Sequence, residues 1–242
     1  MSKRSLRITF RNPEAFGAAI IVPAFVMLLF GLVFNNVMDM GSYTVIDFIV
    51  PGIILQTIAQ GVTFSAINVN NDMMKGIIDR FRSMPISKSA VLTGHVIAAL
   101  VRSMITAAVA IGIAVLIGFR PQASFADWLV IIGILALFIL AITWIGVICG
   151  LMAKAPESAG TYPFLLFLLP YISSGFAPIE TLPNSIRWFA EHQPMTPIID
   201  SLRALMLGTP TGNALPIALI WSVGLIVVTF TIAVQLYKRK LS

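Results

Sequence analysis

The sequence predicts an all-α integral membrane protein of six spans in one transmembrane domain, residues 1–242, on three observations. Of its residues, 58% are hydrophobic and 11% charged, against roughly a quarter charged in a soluble domain. Six apolar stretches reach or approach the ~20 residues a helix needs to cross the hydrocarbon core: 15–37, 47–69, 90–117, 127–152, 159–177 and 214–236. These runs are continuous and lack the roughly ten-residue alternation of membrane strands, which leaves helices as the spanning structure.

The first stretch follows Lys3, Arg4, Arg7 and Arg11, as a signal peptide would. It is longer than an apolar signal core of roughly 7–15 residues and has no small-residue cleavage site behind it, so an uncleaved first span is expected. In the preceding segment, Leu6, Ile8 and Phe10 alternate with basic residues. An interfacial amphipathic piece ending at Pro13 and a plain basic flank both fit.

Between the second and third stretches lies the most densely charged internal part of the chain, Asn71–Lys88. Ile77, Ile78 and Phe81 alternate there with Lys75, Asp79, Arg80 and Arg82 at helical spacing, which predicts a short amphipathic helix over about 72–84. Pro85 stops it.

Lys and Arg set the orientation. With the N-terminus inside, the inner segments hold the basic flank, Lys75, Arg80, Arg82, Lys88, Lys154, Lys238, Arg239 and Lys240, and the outer ones only Arg120, Arg187 and Arg203. That asymmetry puts both termini and the Asn71–Lys88 island in the cytoplasm. It also accounts for the net charge of +6 through insertion and anionic lipid, without nucleic acid.

Between the fifth and sixth stretches the chain is too apolar for a free loop and too rich in proline for a span. Pro178, Glu180 and Pro183 punctuate it, and Leu182, Ile186 and Phe189 share a helical face. Broken helices re-entering the outer leaflet are expected, with Trp188 and Phe189 at the membrane boundary.

Chemistry is sparse. Cys149 is the only cysteine, and His95 and His192 lie on different segments, so no metal site is expected. His192 and Asp200 are both placed outside and could meet, yet no activated nucleophile accompanies them, and no catalytic site is expected. No lysine follows a glycine, so the chain holds no P-loop. If ATP drives the protein, another polypeptide binds it.

Polar groups inside the spans are the remaining candidates. Arg102 lies within the third stretch, where snorkelling, structural pairing and a place on a substrate path all stand open. Gln56, Gln60, Thr63 and Asn68 make a polar stripe along the second, read equally well as interhelical hydrogen bonding or as path. Asp39, Asp47 and Asp127 fall near outer ends, which disfavours an ion-coupled carrier needing acids at midplane.

Asp79-Arg80-Phe81-Arg82-Ser83-Met84-Pro85-Ile86-Ser87, followed by Ala90-Val91-Leu92-Thr93-Gly94, resembles the cytoplasmic signature of type-2 ABC exporter permeases, above all the daunorubicin-resistance subgroup. So does Gly175-Phe176-Ala177-Pro178-Ile179-Glu180-Thr181-Leu182-Pro183, and then Gln193-Pro194-Met195-Thr196-Pro197, Ser201 to Leu205 and Gly208. Departures are modest: Gln193 stands where many relatives carry Asn, and Ile77 follows Gly76 where others often have Thr.

The resemblance implies a permease subunit of an ATP-driven exporter in the cell membrane, without enzymatic activity of its own. It implies separate cytoplasmic ATPase subunits holding ATP and Mg, and a second permease copy, identical or sibling. The 72–84 helix becomes a coupling helix docking into the ATPase, through Asp72, Lys75, Gly76, Asp79, Arg80, Phe81, Arg82 and Pro85. Gln56, Gln60 and Arg102 are candidates for the path of a hydrophobic or amphiphilic compound: a drug, antibiotic or lipid-like molecule. Export of a polysaccharide or lipid-linked glycan, or a non-transporting assembly or sensor role, are the alternatives.

Overall fold

A computed structural model describes residues 13–33, 44–74 and 90–241. Among these residues the chain is all-helical, with nine α-helices: α1 Pro13–Val33, α2 Val45–Met74, α3 Ala90–Ile117, α4 Phe125–Met152, α5 Pro156–Thr161, α6 Phe164–Leu168, α7 Asn184–His192, α8 Met195–Met206 and α9 Ala214–Leu241. Four segments are long and apolar enough to cross a membrane: Val45–Met74, Leu92–Ile117, Phe125–Met152 and Ala214–Arg239. The 21 residues of α1 would extend roughly 30 Å at helical rise, the thickness of the hydrocarbon core.

The bundle is built around α2. It packs against α1, α3, α4, α5, α6 and α8, and Ile49, Ile53, Ile54, Leu55 and Ile58 along it are fully enclosed. Lipid tails are as apolar as leucine, so hydrophobicity alone does not drive helices together in a bilayer; close packing and hydrogen bonds do. Two glycines of α4 supply the closest approach. A Cβ on Gly146 would lie 2.6 Å from Val62 Cγ1, and one on Gly150 2.5 Å from the Ala66 carbonyl. Along α3 the buried face is mostly alanine, Ala98, Ala99, Ala107, Ala110 and Ala114, with Leu92, Val96 and Ser103. The outward faces of α3 and α9 are apolar and suit lipid, with Leu116 and Ile220 almost bare.

Helix starts follow capping chemistry. Ser124 and Asp127 close a reciprocal capping box on α4, Asp127 N donating to Ser124 Oγ at 3.2 Å and Ser124 N donating to Asp127 Oδ2 at 2.8 Å. After α8, Gly208 at φ +67 takes the left-handed turn, and Thr209 N reaches back to the Ala204 carbonyl at 2.9 Å.

Two sequence expectations need correction. The 159–177 stretch is not one helix: α5 and α6 are separate short pieces and a 3₁₀ turn, Leu169–Ile172, follows them. Pro163 and Pro170 interrupt the run, each removing a backbone donor and clashing with the preceding turn. At the inner island, Asp72 does not begin a new helix; Asn71–Met74 are the last residues of α2. The remainder of the expected 72–84 helix lies outside the described residues.

Candidate functional site

At the end of the bundle where α2 closes and α3 begins, the two helices are the stems of the 75–89 segment. Asp72, in the last turn of α2, meets His95, in the second turn of α3, with Nε2 3.1 Å from Oδ2 and both side chains mostly enclosed. Asn70, just above, is buried and donates from Nδ2 to the carbonyls of Gly150 at 3.1 Å and Ala153 at 2.8 Å. Those carbonyls end α4, where the last turn has no helical partners of its own. The expected coupling residues Lys75, Gly76, Asp79, Arg80, Phe81, Arg82 and Pro85 lie outside the described residues; Asp72 is the one whose position is defined.

Midway along the bundle, Arg102 turns toward α2. Its Nη2 donates to the Gly61 carbonyl at 2.7 Å and to Ser65 Oγ at 2.9 Å, and its charge centre lies 6.0 Å from the Phe64 ring. Gly61 makes the approach feasible, because a Cβ there would press on Ser103 Oγ at 3.3 Å. The other members of the α2 polar stripe divide. Gln56 is buried and donates from Nε2 to the Tyr171 hydroxyl, which ties α2 to the broken fifth stretch. Gln60, Thr63 and Asn68 are half-buried. Gln56 and Arg102 are thus engaged at different heights on different neighbours and do not form one constellation.

The opposite end of the bundle is a clamp that sequence reasoning missed. Arg203 on α8, expected as an outer-loop charge, is buried. Its Nε and Nη2 donate to the Phe48 carbonyl at 3.2 and 3.1 Å, Nη2 also donates to the Ser174 carbonyl, and Nη1 pairs with Asp200 Oδ1 at 2.8 Å. The guanidinium also sits 3.8 Å from the Phe48 ring centroid, a cation–π contact. Burial pushes the Asp200 carboxyl above its ordinary range, with Ser174 and Arg203 pulling it back only in part. Gln193, also buried, donates to the carbonyls of Leu169 and Ile172, the first and last residues of the 3₁₀ turn. Gly52 and Gly175 meet backbone to backbone, a Cβ on Gly52 falling 2.5 Å from the Gly175 carbonyl oxygen.

The rest of the 178–192 segment lies on this clamp. Pro178 and Pro183 bracket a 3₁₀ turn, Ile179–Thr181, with Glu180 exposed, and α7 follows with Ile186, Trp188 and Phe189 outward. His192 and Asp200 do not meet. His192 stacks on Trp188 and bonds the Trp188 carbonyl at 2.8 Å, while Asp200 turns to Arg203. Among the described residues no three His, Cys, Asp or Glu side chains gather as metal ligands would.

Residues 1–207 match the family model described as ABC-2 type transporter. Over 222 residues the chain is 27% identical to the daunorubicin resistance ABC transporter permease protein DrrB1 of Streptomyces coeruleorubidus, covering 91% of this chain and 78% of that one. It is 26% identical over 215 residues to the probable doxorubicin resistance ABC transporter permease protein DrrC of Mycobacterium tuberculosis, covering 87% and 76%. ABC transporter G family member 20 of Dictyostelium discoideum is 25% identical over 193 residues, which are 77% of this chain and 25% of that protein.

Proposed function

The chain belongs to the ABC-2 type transporter family, and from that premise we propose that it carries a hydrophobic or amphiphilic compound, of the drug or lipid-like class, out of the cell. It is a multi-pass membrane permease subunit, and the ATPase with which it associates is a separate polypeptide. The observation that carries the substrate class is likeness over most of both chains to permeases named for daunorubicin and doxorubicin resistance.

Within this reading the chain has six spans, α1 being the first and the broken α5–α6 stretch the fifth, with both termini in the cytoplasm. The basic excess at the termini and the 75–89 island supports that orientation. A second permease copy, identical or sibling, completes the path. ATP and Mg are held by the partner subunits, and the 75–89 segment docks on them. Its charges Lys75, Asp79, Arg80 and Arg82 set the docking, and the packed stems α2 and α3 transmit the push. ATP shifts such an equilibrium only through its differential affinity for two arrangements, so closure of the ATPase pair must be what ATP favours.

Vanadate-sensitive export from proteoliposomes holding the chain and its co-expressed ATPase tests the reading. An Arg80→Glu, Arg82→Glu variant is expected to assemble in the membrane yet lose ATPase co-purification and export. Undiminished export by that variant would overturn the docking claim, and absence of ATP-driven export by the wild-type complex would overturn the permease role.

A further inference from the structure

We infer that Arg102, with Phe64 beside it, forms a membrane-embedded subsite for the acidic group of the exported compound, a carboxylate or phosphate on an amphiphile with a flat apolar body. This rests on the exporter reading and narrows its substrate class.

Arg102 stands 12 residues beyond Ala90 in α3, roughly 18 Å along the helix and well inside the hydrocarbon region. A guanidinium has five N–H donors. Only Nη2 is used, on Gly61 and Ser65, while Nε and Nη1 bond no described residue. None of the described carboxylates pairs with it: Asp72 is on His95, Asp200 on Arg203 and Glu191 on Arg187. A cation at this depth is costly unless something answers it. Both Nη2 hydrogens are spent on Gly61 and Ser65, which leaves Nε–H and the Nη1 hydrogens as separate charge-assisted donors for an acidic oxygen.

The surroundings define the rest of the ligand. Phe64, beside the guanidinium, is 38% exposed, and Ile97 and Val101 are exposed on α3, so the neighbouring surface is apolar and offers one aromatic face. The acids of α2 and α4 sit too far along to serve. Asp47 is 14 residues from Gly61 and Asp72 seven from Ser65 on α2, about 21 and 10 Å of rise, and Asp127 caps the outer end of α4. A second copy repeats the same spacing. In α1, Gly31 touches Ile46, and counting back along the antiparallel pair sets Glu14 at about this level, so Glu14 is the rival counter-ion that the test addresses.

The complex of chain and ATPase is reconstituted in phosphatidylcholine vesicles and probed with pyrenedodecanoate and the matching pyrenedodecylamine. Binding is read by fluorescence and export by vanadate-sensitive transport. The wild type is expected to bind the acid roughly tenfold more tightly than the amine. Arg102→Gln erases that ratio and Arg102→Lys keeps part of it, because lysine supplies the charge with a different donor geometry. Amine binding unchanged in both variants shows that they fold. Phe64→Leu weakens both probes alike, and Glu14→Gln leaves the ratio intact.

Equal affinity for the two probes in the wild type, or a ratio surviving Arg102→Gln, overturns the subsite. So does a Glu14→Gln variant that changes the ratio as much as Arg102→Gln does, since Arg102 is then the partner of Glu14. If phosphatidylglycerol added to the vesicles displaces the acid probe and ATP moves no acid, the group bound is a resident lipid headgroup and the substrate assignment falls. ATP-driven export of the amine without acid preference sinks the subsite and leaves the exporter standing. An acid preference that follows Arg102 in a complex exporting neither probe does the reverse.

Discussion

His95 Nε2 lies 3.1 Å from Asp72 Oδ2, joining the second turn of α3 to the last turn of α2 across the 75–89 segment. The contact fixes the separation of the two stems that would carry motion from an ATPase into the bundle. A mostly enclosed pair of this kind is worth about 1 kcal/mol, as an ion pair or as a neutral imidazole donating to the carboxylate. Asp72→Asn, His95→Ala and their double mutant should therefore show a coupling energy near that value in thermal unfolding of the detergent-solubilised protein. Purely additive losses would mean that the two side chains are neighbours without being partners. If the stems transmit force, the single mutants should also export less per ATP hydrolysed.

The seam between α2 and α4 tolerates no side chain at two positions. A Cβ on Gly150 would lie 2.5 Å from the Ala66 carbonyl oxygen and 3.0 Å from Val69 Cβ, and neither is the free end of a flexible chain. Gly150→Val should cost roughly 1–3 kcal/mol by forcing the helices apart. Gly112 is the control, since nothing lies within 4 Å of a Cβ added there. In purified permease, Gly112→Ala should be neutral or slightly stabilising, and equal losses at the two sites would contradict the packing described.

Hydropathy makes α2, α3, α4 and α9 legible in the sequence because each is a long run of side chains that lipid or a neighbouring helix will accept. The break in the fifth stretch was also written there, in Pro163 and Pro170, although average hydropathy conceals it. Arg203 was not legible. An arginine in a polar-flanked outer segment reads as solvated, and its burial depends on carbonyls 155 and 29 residues away in the chain, at Phe48 and Ser174. Gly146 and Gly150 carry the small-residue spacing of a helix seam, but nothing in their own segment says that α2 is the partner. Arg102 falls between these cases: its oddity inside a span is plain, while its anchor on Gly61 and Ser65 exists only in the folded bundle.

Arg203 and Asp200 should respond unequally to neutralisation. Arg203→Met removes the donors that hold the carbonyls of Phe48 and Ser174, and a loss of about 2–4 kcal/mol is expected from stranding those acceptors and the Asp200 carboxylate. Asp200→Asn should cost much less. Burial pushes the Asp200 carboxyl upward despite Arg203 beside it, so folding favours its charged form less than water does. The sign for pH follows: a raised carboxyl contributes stability below the ordinary carboxylate range and loses it as pH rises through the raised value. The wild type should thus gain stability relative to Asp200→Asn on mild acidification, read as a difference in melting temperature. A gap that widens the other way would mean that Arg203, not burial, dominates Asp200.

Asn70 gives the sharpest test of a single donor. Its Nδ2 holds two carbonyls at the end of α4, Gly150 and Ala153, while its Oδ1 is buried with no hydrogen-bond partner among the described residues. The side chain therefore acts through the amino group alone. Asn70→Ala loses both bonds and opens a small space, for about 1–2 kcal/mol, near the upper end for hydrogen bonds between membrane helices. Asn70→Asp keeps the shape but puts an acceptor oxygen against two carbonyls. In a site that is 1% exposed, that costs more than truncation, about 2–4 kcal/mol, unless the carboxyl holds a proton and donates it. Unfolding measured across pH separates these: the Asn70→Asp protein should approach the wild type in acid and fall below the alanine variant at neutral pH. An aspartate variant as stable as the wild type at neutral pH would show that the Gly150 and Ala153 carbonyls do not depend on this donor, and that packing holds this end of α4 without it.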